Sequence, residues 1–223
     1  NVYGSDTALA VQAIAAGGFP LPAGEGFVPG FDQRWSIENS DRNATWEPFA
    51  ASSDGDQASM RMPHYAVPLT ASGQRDALIS PVYSLDSGSS LTLDVAYRLV
   101  SATQASDTVT IWIQPCGSTA WNLLATRFET GTLNWATGSP QTTAFVPASA
   151  ADWRRDSIFL GGLSGPSRFK IEARHAGGNH LYLDRFRLRT ASAAAPTADF
   201  IAPDSACAAR AVTFYATGMP APG

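Results

Sequence analysis

The chain has 223 residues, with 15 Lys plus Arg against 19 Asp plus Glu for a net charge of -4; this balance argues against a surface for nucleic acid or anionic membrane. No apolar run approaches the ~20 residues of a membrane span. Abundant Gly (19) and Pro (15) with few charges favour short strands and many turns over helices, in a chain long enough for one large β domain or one plus a fragment.

The start, Asn1-Val2-Tyr3-Gly4, lacks a charged segment followed by an apolar stretch, so the chain reads as an interior piece of a longer protein. Residues 7–16 are Ala-rich. Asp6 or Thr7 suits a helix cap, yet Ala8 to Ile14 also alternates like a strand, and residues 1–25 are expected to be a connector from a preceding domain. From Phe27 the strand and turn signals become regular. Trp35 to Asn39 alternates, Ser40 to Asn43 makes a polar turn before Thr45-Trp46, and Asn43-Ala44-Thr45 matches a glycosylation sequon.

Further strands are expected at 58–62, 77–79, 91–99, 108–114, 121–127, 157–160 and 169–174, closed by one over 178–188. Leu91, Leu93 and Val95 share a face, as do Val109, Ile111 and Ile113. Trp112 lies opposite the second row, either as a ligand platform or beneath a crossing loop. Many short strands without a long helix point to an all-β, two-sheet sandwich.

In a regular closing strand Tyr182, Asp184, Phe186 and Leu188 share one face, which makes Asp184 an inward carboxylate needing a cation or an arginine such as Arg61 or Arg174. A bulge at Asp184 would instead turn Leu181 and Leu183 inward and leave the Asp exposed. The first strand around Ile37 and the last around Leu183 are expected to lie close in space. After Arg189, small residues lead to Pro196, a linker over 191–197. Residues 198–223 then resemble two strands of an incomplete immunoglobulin-like domain, which needs about 100 residues.

Signals for catalysis are absent from the motifs. There is no His-Glu-x-x-His, and Gly162-Leu163-Ser164-Gly165-Pro166 fails the nucleophile elbow at its last position. No phosphate loop and no recognisable acid pair of a glycosidase occurs. The expectation is a chain that is not an enzyme. Cys116 and Cys207 follow no metal-ligand spacing and are either one disulfide or two separate thiols. His175 and His180 flank Gly177-Gly178, as an exposed pair or as ligands meeting across a hairpin. Oxygen-rich side chains recur beside turns, at Asn39, Asp41, Asp76, Asp94, Asp107 and Asp184. A hard cation takes 6 to 8 oxygens, so three or four such side chains suffice, although Asp and Asn also simply form turns.

The ordered set Trp35-x-Ile37-x-Asn39-x-Asp41-x4-Trp46, Gly73-Gln74-x-Asp76-x-Leu78-x-Ser80-Pro81, Leu93-Asp94-Val95-Ala96-Tyr97, Asp107-x-Val109-x-Ile111-x-Ile113, Cys116-Gly117-x3-Trp121, Trp153-Arg154 and Gly178-Asn179-x-Leu181-Tyr182-Leu183-Asp184 carries a resemblance. Over residues 26–190 it resembles the jelly-roll accessory domain of secreted, pappalysin-type bacterial metalloproteases. It is similar more distantly to cleaved-adhesin domains of gingipains and to MAM-like sandwiches. Pro196 to Phe200, Cys207 and Val212-Thr213-Phe214 resemble the opening of a PKD domain. The resemblance implies a secreted, noncatalytic accessory or adhesion domain behind a catalytic domain, stabilised by calcium on Asn39, Asp41, Asp76 and Asp184, with a protein or glycan partner at a cell surface or matrix. The alternative is a carbohydrate-binding module using Trp112, Trp135 or Tyr65. The chain departs from the family pattern at Pro115, where relatives often have Asp, and at Arg185, where they often have a second acid or amide.

Overall fold

A computed structural model describes residues 18–28, 34–101, 107–128 and 134–190, and the backbone of 199–201 and 215–217. Among these residues twelve strands build the larger unit: β1 (Ala23–Glu25), β2 (Ser36–Asn39), β3 (Glu47–Phe49), β4 (Ser59–Met62), β5 (Arg75–Ile79), β6 (Tyr83–Leu85), β7 (Ser90–Tyr97), β8 (Thr108–Pro115), β9 (Asn122–Phe128), β10 (Arg154–Phe159), β11 (Gly165–Arg174) and β12 (Leu181–Arg189). One antiparallel sheet, here the back sheet, runs β10-β7-β12-β4-β3 with β1 also on β12. The front sheet runs β2-β5-β11-β8-β9 with β6 also on β11.

The orders β4-β12-β7-β10 and β5-β11-β8-β9 make this a jelly-roll β-sandwich, because the long strands cross from one sheet to the other at every step from β7 to β12 except the β8–β9 hairpin. Its core follows from the period of two. Leu91, Leu93 and Val95 of β7 face Val109, Ile111 and Ile113 of β8 and Phe169, Ile171 and Ala173 of β11, all buried in one cluster. Burying such a side chain is worth about 1.5–3 kcal/mol, which is why these rows set the register.

Three elements differ from expectation. Residues 18–25, assigned above to the connector, belong to the sandwich: β1 pairs with β12, and Phe19 bridges to Tyr83. Residues 1–17 lie outside the described residues. Strand β3 has no counterpart in the expected strands; it directly follows Trp46, which is buried in the core with Nε1 donating to the Asp76 carbonyl at 3.2 Å. Strand β6 has no counterpart in the reading, since Tyr83-Ser84-Leu85 is too short to show a period.

The last strand carries the largest correction. Between Asp184↔Asp94 and Arg187↔Thr92, β12 advances three residues while β7 advances two, and Arg185 takes up the extra residue at φ 51°. Leu181 and Leu183 therefore enter the core before the bulge, and Phe186 and Leu188 after it. Asp184 shares its face with Tyr182, away from the core, yet it is fully buried rather than exposed. The regular-strand face assignment and the exposure expected of a bulge both fail, because chain from other parts of the sequence covers that outer face. Tyr182 packs with Ala96, Phe145, Phe49 and Trp153 there, and its hydroxyl donates to the Phe145 carbonyl at 2.8 Å. Asn179 holds the same segment by accepting from Phe145 N and donating to the Gln141 and Thr143 carbonyls.

The strands around Ile37 and Leu183 lie in opposite sheets. They are tied across the core by Trp35 edge-on to Phe186, ring centroids 5.0 Å apart. The chain divides after residue 191 into a second unit, 192–223. Within it β13 (Asp199–Ile201) pairs antiparallel with β14 (Tyr215–Thr217). Cys207 and most of the expected strand over 212–215 lie outside the described residues, and Cys116 is an exposed free thiol.

Candidate functional site

The four expected cation ligands fall into two places. Asn39 and Asp76 are cross-strand partners of β2 and β5 at the edge of the front sheet. Asp76 is buried with Oδ1 unbonded, and Asn39 Oδ1 and Thr45 Oγ1 are likewise buried without a hydrogen-bond partner of good geometry. Burial first, with the charge of Asp41 adding, pushes the Asp76 carboxyl up to about 6. Asp41 itself accepts from Asn43 N at 3.0 Å, the turn that aims this group. These are hard oxygen donors with unused lone pairs, a set that fits calcium.

Asp184 belongs to the back sheet, with different neighbours. Its Oδ2 accepts from Ser53 N and Ser53 Oγ, each at 2.8 Å, and its Oδ1 from Arg185 N at 2.6 Å. The loop after β3 brings Asp54 and Asp56 to it, one carboxylate oxygen from each of the three lying within 4.8 Å of the others. Positive φ at Gly55 (91°) and Gln57 (59°) folds that loop tightly enough to present both acids. Arg185 Nη1 reaches Asp54 Oδ2 at 3.2 Å, so one arginine borders the group. Arg61 and Arg174 are not its partners: Arg61 pairs with Glu47, and Arg174 acts on Asp107. Asp54 and Asp56 escaped the sequence reading because Asp-Gly-Asp reads as a turn.

Burial first, opposed by the Ser53 and Arg185 hydrogen bonds and aided by Asp56, pushes Asp184 up to about 6. A raised carboxyl pKa means the folded protein holds a proton that the unfolded chain has already lost above its ordinary value near 4, so stability falls as pH rises from about 4 to about 6. In chelator, Asp184→Asn, which never ionises, should therefore gain on wild type across that window. Paired urea melts at pH 4.5 and 6.5 check this, and a constant difference would refute it.

The proposed ligand aromatics separate cleanly. Trp135 is 3% exposed and its Nε1 donates to Asp156 Oδ2 at 2.9 Å, beside Arg127 on the same carboxylate, so it is a core residue. Tyr65 is exposed, but its hydroxyl is tied to the Thr142 carbonyl at 3.0 Å and its ring lies edge-on to His180. Trp112 is half-buried on the outer face of the front sheet, its Nε1 buried without a hydrogen-bond partner. Lys170 sits 5.7 Å from the Trp112 ring centroid and 5.2 Å from that of Trp121, joining two aromatic rings on this face. Arg168 lies 5.2 Å over Trp121 and donates to Gln114 Oε1 at 2.6 Å. Leu123, cross-strand from Trp112, is 57% exposed.

The front face thus carries half-buried tryptophans with basic side chains on their rings and an exposed Leu123 at their side, on a jelly roll whose other outer face is covered around Tyr182. In fold, the chain is similar to a cleaved adhesin domain. The K1 domain of Lys-gingipain from Porphyromonas gingivalis W83 superposes with a TM-score of 0.52 at 16% identity, over 75% of this chain and 97% of that one. The K3 domain of the same protein gives 0.53 at 17%, over 75% and 98%. A carbohydrate-binding module in complex with β-1,4-galactotriose reaches only 0.43 at 12% identity, over 74% and 99%, too remote to carry an argument. No protein-family model and no curated protein matches the sequence. No helix among the described residues is long and apolar enough to cross a membrane.

Proposed function

We propose that this chain is a noncatalytic, calcium-stabilised binding module of a secreted multidomain protein, set behind a catalytic domain of the metalloprotease type. It engages protein or glycan at a cell surface or matrix. The observation that carries the binding role is the asymmetry of the sandwich. The back sheet is capped by the segment containing Phe145 and Trp153, while the front sheet keeps Trp112 and Trp121 half-exposed beside the exposed Leu123, with Arg168 and Lys170 on their rings. Aromatic faces with nearby donors and acceptors suit a sugar ring, whose apolar face stacks while its hydroxyls hydrogen-bond.

Calcium would be held by Asp54, Asp56 and Asp184 at the back sheet, and by Asn39, Asp41 and Asp76 at the front sheet's edge. It would neutralise carboxylates that the fold buries. The fold similarity to cleaved adhesin domains supports a binding role over an enzymatic one, and the PKD-like reading of residues 198–223 rests on the sequence resemblance alone.

Glycan arrays and an extracellular-matrix protein panel test the reading. Trp112→Ala and Trp121→Ala should each weaken capture at least tenfold, ~1.4 kcal/mol, without lowering the melting temperature appreciably. Trp135→Phe should do the reverse, losing the Asp156 bond and stability but not affinity. Binding that survives both front-face substitutions would place the ligand elsewhere. Hydrolysis by the purified chain, abolished by one substitution, would overturn the noncatalytic role.

A further inference from the structure

All three histidines are buried, and the two that meet are not the pair flanking Gly177-Gly178. His64, in the short turn after β4, stacks on His175, which follows β11, with ring centroids 5.4 Å apart and planes 20° apart. Asp107, just before β8, completes the group: its Oδ2 is 3.9 Å from His64 Nε2 and its Oδ1 is 3.9 Å from His175 Nδ1. One ligand atom from each of the three lies within 4.8 Å of the others. The group therefore joins the back sheet, through β4, to neighbouring strands of the front sheet.

Its hydrogen bonding is incomplete in a specific way. Asp107 Oδ1 accepts from Ala176 N at 2.6 Å and Gly178 N at 3.2 Å, which orients the carboxylate and leaves Oδ2 buried and unpartnered. Neither His64 nitrogen has a partner, although the residue is 0% exposed. At 3.9 Å the His64–Asp107 approach is too long for a hydrogen bond. His175 Nδ1 has only a long approach from Gly177 N at 3.4 Å, and Nε2 makes no bond of good geometry, though the Pro68 backbone lies close enough to favour its protonated form. A neutral imidazole carries one donor and one acceptor, so leaving both unmet in the interior is costly. The separations are those of groups arranged around something.

We propose that His64, His175 and Asp107 form a buried site for a divalent transition-metal ion of the zinc class, tying the two sheets together. Two imidazoles and one carboxylate are a zinc donor set, and they leave one of four tetrahedral positions for a water. The nitrogens separate this site from the all-oxygen groups assigned to calcium. Bonds of about 2.0–2.1 Å imply ligand–ligand edges of roughly 3.3 Å, so the 3.9 Å separations to the two Asp107 oxygens close by about half an ångström, and the widest separation, up to 4.8 Å, by at most about 1.5 Å. Burial pushes the Asp107 carboxyl up to about 7, against the hydrogen bonds from Ala176 N and Gly178 N and the charge of Arg174, a cost that a bound cation would offset.

The test uses the whole chain without a histidine tag, dialysed against chelator and then kept in saturating calcium so that the carboxylate groups are satisfied independently. Zinc chloride is titrated calorimetrically, with cobalt(II) absorption and imidazole nitrogen NMR as spectroscopic readouts. The expected result is one equivalent bound, with ring nitrogens of His64 and His175 shifting. His64→Asn and His175→Gln should each weaken zinc by at least the roughly 10- to 100-fold that even an outer-shell partner is worth, while keeping the response to calcium. Failure of the wild type to take up stoichiometric zinc would overturn the site and indicate a bridging water. So would uptake that leaves both imidazoles unshifted, a readout that stands even where a variant fails to fold. Neither outcome bears on glycan capture by the front face.

Discussion

Removal of calcium is expected to lower the melting temperature of the larger unit by roughly 5–10 °C. A ligand that binds only the folded state at 100 times its dissociation constant contributes ~2.7 kcal/mol, and 1 kcal/mol is worth about 2–4 °C in a chain of this size. The gain has a structural origin. Asp184 is fully buried, beside Asp54 and Asp56 at 4.8 Å or less between ligand oxygens, and three carboxylates so close repel one another unless a cation lies among them. Asp184→Ala also deletes the bonds from Ser53 and Arg185, so its melting temperature alone would mislead. The informative quantity is the difference with and without calcium. That difference should shrink in Asp184→Ala and in Asp76→Asn, and vanish when the two are combined. A wild-type protein indifferent to chelator, with no calcium by elemental analysis, would remove calcium from the account.

Phe186→Ala should cost about 3–5 kcal/mol, a large share of the 5–15 kcal/mol that holds a typical domain together. Phe186 is fully buried at the meeting point of both sheets, with Trp35, Phe169 and Tyr83 ring centroids 5.0, 5.7 and 5.8 Å away. Those three rings come from chain segments far apart in sequence, so the cavity left cannot collapse by moving one element. Leu123→Ser on the exposed front face should stay within about 0.5 kcal/mol of wild type. Urea unfolding of both variants, with unchanged denaturant slope, checks the pair. A loss below about 1 kcal/mol at Phe186 would show that the aromatic cluster is not the centre of the core.

The site was legible in parts. Asn39 and Asp76 stand opposite one another because β2 and β5 pair in register, with Asp41 in the turn that follows. Asp184 was singled out correctly as a buried carboxylate in need of compensation, but its neighbours were not. Asp54 and Asp56 reach it from 130 and 128 residues away in a loop without periodicity. Trp121 was visible only as a residue of the family pattern, since its place beside Trp112 depends on Lys170 lying between their rings. His64 was passed over because nothing local distinguishes it.

What the amino-acid order determined by itself was the class of fold and the inward rows. Strands of alternating apolar residues, punctuated by Gly, Pro and Asp, can bury a face in few ways, and Leu91 to Val95 and Val109 to Ile113 are buried as their period requires. What only the tertiary structure decided was the side of the last strand that each residue takes and which outer face is covered. A one-residue bulge at Arg185 keeps Phe186 and Leu188 inward as a regular strand would have them but reverses the residues before it, turning Leu181 and Leu183 in and Tyr182 and Asp184 out, at a place where Asp-Arg offers no glycine to mark the turn. Long-range packing of Phe145 and Trp153 then closes the back sheet over Tyr182, while the front sheet's tryptophans stay half-exposed, because coverage depends on contacts between distant segments rather than on any local pattern.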